Sequence, residues 1–193
     1  MIMQEKIAKD IQDSIDVKSR ILRTHLPLIE KAAKTVFECL KNGNKVLFFG
    51  NGGSASDSQH LAAEFVGRYE KERRGLPAIA LSTDTSILTA VGNDYGFDKI
   101  FERQVEALGR KGDVAIGIST SGNSRNVILG LKKAKALGLV TIGFSGKNGG
   151  ELHSMVEVSI VVPSQKTARI QESHIMIGHI ICERVDELFV EAR

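Results

Sequence analysis

The chain has 193 residues, 42% of them hydrophobic, which suffices to bury a substantial core and makes one domain, 1–193, the expectation. Its formal charge of +3 arises from Lys and Arg interleaved with Asp and Glu, so no basic stripe points to nucleic acid or an anionic membrane surface, while small anions stay open as ligands. No segment approaches a membrane span and the first residues lack an apolar core of signal-peptide length; Cys39 and Cys182 stand apart with no CxxC motif, so the expectation is a cytoplasmic protein with buried thiols.

Residues 2–24 repeat aliphatics at helical spacing (Ile7, Ile11, Ile15, then Ile21 and Leu22), which predicts an amphipathic helix. A second helix starts near Pro27 and runs through Ala32, Val36 and Leu40 to Asn42-Gly43. These N-terminal helices, 1–43, exceed what a minimal α/β unit requires, so their apolar faces are expected to pack in an oligomer. Val46 to Phe49 is then a continuous apolar run of strand length, followed by G-N-G-G-S-A-S-D-S-Q-H-L-A-A-E. Gly50, Gly52 and Gly53 permit a tight turn into a helix that Ser54 or Ser56 can cap, and such a helix N-terminus suits an anion. His60 and Glu64, four residues apart, share one face of that helix.

Ala78 to Leu81 reads as a short strand, Thr83 to Thr85 caps a short helix ending at Gly92, and Asn93 to Gly96 reads as a turn. Phe97 to Leu108 is amphipathic, and Asp113 to Ile118 is a buried strand that runs into S-T-S-G-N-S at Ser119 to Ser124. The helix Asn126 to Leu137, the strands Val140 to Phe144 and Val156 to Val162, and a long final helix Thr167 to Val190 complete the pattern. Strands alternating with helices imply right-handed βαβ units, hence a three-layer α/β/α fold around a five-stranded parallel sheet. Ligands of such sheets bind outside the carboxyl ends of the strands, where both Gly/Ser loops lie.

Residues 50–55 also fit G-x-G-x-x-A, a variant of the dinucleotide fingerprint. An oxidoreductase would need a ribose-binding acid closing the second strand; Glu70 and Glu72 precede that strand and Asp84 comes late. The turn has no lysine and so is no P-loop. A tight turn without a ligand is the plain alternative here, as is an ordinary capped loop for Ser119 to Ser124. Yet the hydroxyls and N–H groups of the latter can surround a phosphate without a cation, and they suit a sugar phosphate in particular. His60 with Glu64 could be a solvated pair, and Gln171, Glu172, His174 and His179, polar groups on an aliphatic helix, must be paired or functional.

G-N-G-G-S-A-S-D-S-Q-H-L-A-A-E, V-G-N-D-Y-G-F, G-I-S-T-S-G-N-S and A-R-I-Q-E-S-H-I-M-I-G-H together resemble the phosphoheptose isomerases, a branch of the sugar isomerase (SIS) domain family, over nearly the whole chain. The resemblance implies conversion of sedoheptulose 7-phosphate to D-glycero-D-manno-heptose 7-phosphate, towards the heptose of lipopolysaccharide core. It implies Zn2+ held by His60, Glu64, Gln171 and His179. It implies substrate contacts at Asn51, Gly52, Gly53, Glu64, Asn93, Asp94, Ser119, Thr120, Ser121, Ser124 and Gln171. Glu64 and His179 become the acid/base pair, and a homotetramer with sites at subunit interfaces is implied. Ala168 departs from the pattern, since some members carry an acid there. Non-catalytic SIS proteins that sense a sugar phosphate or bind a protein partner are the alternative, against which His60, Glu64, Gln171 and His179 speak.

On a straight helix Gln171 and His179 lie about 12 Å apart along the axis and about 80° apart in direction. The expectation is that one of them reaches a shared ion from a neighbouring subunit, or that the helix is distorted.

Overall fold

The computed structural model describes residues 2–191. Two helices open the chain, α1 (Met3–Thr24) and α2 (Leu26–Lys41). The Glu5 carboxylate accepts the Ile2 N–H at 2.9 Å, satisfying a donor at the start of α1 that the helix itself leaves free. Pro27 occupies the first turn of α2, where its missing N–H costs nothing, and Gly43 follows its end at φ +79°.

Five strands follow: β1 (Val46–Gly50), β2 (Ala78–Ala80), β3 (Val114–Ile118), β4 (Val140–Gly146) and β5 (Val158–Val162). They form one sheet in the order β2-β1-β3-β4-β5, with every adjacent pair parallel. The connecting helices are α3 (Gly53–Val66), α4 (Thr85–Tyr95), α5 (Ile100–Leu108, entered through a 3-10 turn at Phe97–Lys99), α6 (Arg125–Ala136), α7 (Gly150–His153) and α8 (Thr167–Glu191). This is the expected three-layer α/β/α architecture.

Strand periodicity divides the core. Val46 and Phe48 of β1 point to one face, packing with α2, α3 and α8, whereas Leu47 and Phe49 point to the other, packing with α5 and α6. Burial on both faces is why these strands read as unbroken apolar runs. Gly117 in β3 lets α6 approach, since a Cβ there would come within 2.7 Å of Leu131.

Two local expectations are revised, and one short helix is added. Neither Ser54 nor Ser56 caps α3, which starts directly at Gly53 because Gly52 takes φ +57° and turns the chain at once; Ser54 is buried inside the first turn. Asn93 to Tyr95 belong to α4, capped by the Asp84 carboxylate accepting Ile87 N–H at 2.9 Å, and the turn falls at Gly96 with φ +86°. The four-residue α7 has no sequence signal of its own.

Candidate active site

In the strand order 2-1-3-4-5 the chain leaves β1 towards β2 and leaves β3 towards β4, in opposite directions, which opens a crevice between the carboxyl ends of β1 and β3. The loops after these strands are the two Gly/Ser segments, and they are tied together: the Asn51 and Asn126 side-chain amides exchange hydrogen bonds at 2.8 and 2.9 Å. Asn51 is thereby oriented from α6, by a partner that no local motif links to it.

The β3 loop converges its hydroxyls. Ser119 Oγ lies 2.8 Å from Ser124 Oγ and 3.5 Å from Ser121 Oγ, and the Ser124 N–H donates to Ser119 Oγ at 3.4 Å. Ser124 stands at the N-cap of α6 without spending its side chain on the cap, so its hydroxyl stays available. Gly122, at φ +69°, holds the turn against the neighbouring β4–α7 loop; a Cβ there would overlap the Gly149 carbonyl. Thr120 is half-buried in the same loop. Asn93 and Asp94 sit exposed at the end of α4, the Asn93 amide donating to the Asp94 carboxylate at 2.8 Å.

Behind the β1 loop, α3 and α8 run in parallel, Gly53 meeting Gln171, and Leu61 meeting Gly178. The side chain of Gln171 packs over Gly53 so closely that a Cβ on Gly53 would overlap its Nε2. Two turns further along α8, His179 reaches His60 and Glu64 of α3. His60 Nε2 is 2.8 Å from His179 Nε2 and 3.3 Å from Glu64 Oε1, and one donor atom from each of the three residues lies within 4.8 Å of the others. Burial, then the neighbouring His60, holds the His179 pKa below that of an ordinary imidazole, with Glu64 opposing.

Two imidazole nitrogens facing each other so closely require that one donate and one accept, or that both direct lone pairs at a cation. Two neutral imidazoles and a carboxylate are the donor set of catalytic zinc sites that keep a coordination position open, so these residues fit a divalent metal. The chain itself brings His60, Glu64 and His179 together, and α8 is an uninterrupted α-helix between Gln171 and His179. The two therefore diverge, as their spacing implies: Gln171 lies over Gly53 and His179 over the His60–Glu64 pair.

Several residues of this region were not singled out from the sequence. Asp57, one turn before His60, is half-buried, and its Oδ2 has no hydrogen-bond partner among the described residues. Burial pushes its pKa up to about 6, partly offset by His60. Its place four residues after Gly53 and three before His60 was the available signal. Tyr69 stacks on the His179 ring at a centroid distance of 5.4 Å. His174, by contrast, is a core residue, fully buried with Nε2 at 2.9 Å from the Ser145 carbonyl, and Glu172 is engaged by Ser14 and Arg169.

Comparison with known proteins identifies the family of the chain. Residues 11–146 match the SIS domain family. The chain is 59% identical over 189 residues to the phosphoheptose isomerase of Aquifex aeolicus, covering 98% of this chain and 99% of that one. It superposes on a phosphoheptose isomerase from Neisseria gonorrhoeae with a TM-score of 0.92 at 46% identity, covering 96% of this chain and all of the other. A phosphoheptose isomerase from Francisella tularensis gives a TM-score of 0.93 at 40% identity, covering 97% of this chain. The fold and nearly the whole length of the chain are thus shared with these relatives, and the chain belongs to the phosphoheptose isomerases of the SIS domain family.

Proposed function

We propose that the chain isomerises sedoheptulose 7-phosphate to D-glycero-D-manno-heptose 7-phosphate in the cytoplasm, supplying heptose for lipopolysaccharide core. The observation that carries this reading is the convergence of His60, Glu64 and His179, the first two on the helix that leaves the β1 loop, because a protein that only senses a sugar phosphate needs the hydroxyl loop but no proton-transfer groups.

Ser119, Thr120, Ser121 and Ser124 bind the phosphate, with the N-terminal dipole end of α6 favouring its charge. Asn51, Gly52 and Gly53 meet the sugar, along with Asn93, Asp94, Glu64 and Gln171. Moving the carbonyl from C2 to C1 requires removal of a proton from C1, its return to C2, and transfer of the hydroxyl proton from O1 to O2, through an enediolate. Glu64 and His179 share the acid and base roles. Burial and the neighbouring His60 lower the His179 pKa, which favours the neutral ring that a base or a metal ligand requires.

His60, Glu64 and His179, with Gln171 of a neighbouring copy or a substrate oxygen completing the set, would hold Zn2+. Bound there, zinc would supply Lewis-acid polarisation of the oxygens that carry developing charge. The outward-facing stripe of α1 pairs with further copies of the chain in a homotetramer. Incubation with sedoheptulose 7-phosphate, with and without chelator, tests the reading. An aldoheptose 7-phosphate product that diminishes on chelation is expected, and absence of product from the metal-loaded protein would refute it.

A further inference from the structure

We propose that Tyr69 is a positioning residue for His179, held in place by the buried Asp186–Arg73 pair; the inference rests on the isomerase reading of the His60–Glu64–His179 cluster. An imidazole turns broadly about its terminal torsion unless its faces are packed. The His179 ring has His60 at a centroid distance of 5.0 Å, tilted by 55°, and Tyr69 stacked at 5.4 Å and 28°. Turning of the ring would carry Nε2 away from His60 and Glu64, and the stacked phenol restrains that motion.

Tyr69 itself lies in the irregular segment after α3, where a backbone drifts unless tied. Here it is tied. The consecutive N–H groups of Tyr69, Glu70 and Lys71 donate to one oxygen, Asp186 Oδ2, at 3.2, 3.1 and 3.2 Å. The other oxygen accepts Arg73 Nε at 2.5 Å, and both side chains are essentially inaccessible, at 1% and 0% exposure. The remaining guanidinium N–H groups reach the carbonyls of Glu64, Phe65, Gly67 and Arg74 at 2.9, 2.9, 3.3 and 3.0 Å. Arg73 thus closes the C-terminal end of α3, whose last carbonyls have no partners within the helix.

The connectivity gives the arrangement its meaning. Asp186 lies seven residues after His179, two turns along the same face of α8. One helix therefore carries both the ring and the carboxylate that fixes the ring's neighbour, while Arg73 binds the main chain of Glu64, the second member of the cluster. A fully satisfied buried ion pair adds little stability over a well-packed apolar replacement. What this one supplies is a fixed relation between α3, Tyr69 and α8.

The test compares Tyr69→Phe and Tyr69→Leu, variants that keep an apolar body of similar size. Direct Zn2+ titration, kcat, KM and Tm are measured for each. Tyr69→Leu is expected to lose about 10-fold in Zn2+ affinity and about 10-fold in kcat at unchanged KM, as loss of a group orienting a metal ligand does, while Tyr69→Phe restores both. A Tyr69→Leu protein with wild-type kcat and Zn2+ affinity, a loss confined to KM or Tm, or failure of Tyr69→Phe to restore function would overturn the proposal. A crystal structure of Tyr69→Leu checks it without metal or substrate: His179 Nε2 still at about 3 Å from His60 Nε2 refutes positioning by the phenol. If the wild-type protein fails to turn over sedoheptulose 7-phosphate, the isomerase reading falls, whereas that crystal structure still decides the role of Tyr69.

Discussion

Single residues divide sharply into those that do chemistry and those that protect the core. Glu64 and His179 face each other across α3 and α8, and amide replacements keep their size while removing their ability to exchange protons. Glu64→Gln and His179→Gln are each expected to lower kcat by at least about 100-fold while KM changes little, because general acid–base catalysis contributes on that order. Steady-state kinetics checks this, and near-wild-type kcat in either variant removes its residue from the mechanism. His174, five residues before His179, plays the opposite part. It is buried beside Phe144 with its Nδ1 unpartnered among the described residues, and burial pulls its pKa down to about 4 from 6.5. Below pH 6.5 the unfolded chain binds a proton at this ring that the folded chain refuses, so stability falls on acidification until about pH 4, by roughly 3 kcal/mol from this group. Urea unfolding of the wild type and of His174→Gln at neutral pH and near pH 4.5 measures it. The variant should show the smaller decline, and identical declines would exclude His174 as the cause.

Elements were legible where burial forced a pattern on them. The runs at Val46 to Phe49 and Val114 to Ile118 read as strands because both of their faces are covered, and α2 as a helix because only one of its faces is, whereas the stripe that made α1 legible, Ile7, Ile11 and Ile15, lies exposed on this chain. Asn93-Asp94 misled because these residues are favoured in turns, yet Asp84 had already capped a helix that runs past them. At the site, His60 and Glu64 were legible as an i, i+4 pair and Ser119 to Ser124 as a hydroxyl cluster. The Asp186–Arg73 pair was not, since its members are more than a hundred residues apart and neither belongs to a local motif. That pair joins α8 to the end of α3, and its rupture belongs to this scale. Asp186→Asn leaves the Arg73 charge buried without a counter-ion and is expected to destabilise the fold by about 3–5 kcal/mol. Chemical denaturation provides the measurement, and a change below about 1 kcal/mol would show that the clamp contributes only position.

For the molecule as a whole, the notable surface is the outer stripe of α1. Ile7, Ile11 and Ile15, spaced four apart, are 53%, 58% and 50% exposed, and Leu22 and Leu26 continue the apolar character towards α2. A stripe at helical spacing on the outside of a folded chain is suited to pairing with the same stripe of another copy. Ile11→Glu with Ile15→Glu is expected to lower the solution mass towards that of one chain without loss of helical signal. Light scattering with circular dichroism checks both, and an unchanged mass would remove α1 from the subunit contact.

The close passage of α3 and α8 carries a last consequence. Leu61 and Gly178, each immediately adjacent in sequence to a metal-site candidate, meet where a Cβ on residue 178 would stand 2.5 Å from Leu61 Cδ2. An aliphatic spacer one residue from His60 and one from His179 therefore gauges the gap that the polar donors span. Because that gauge is made of carbon, added salt leaves the width of the donor site unchanged. A single methyl on Gly178 would widen it without altering any group that touches the substrate.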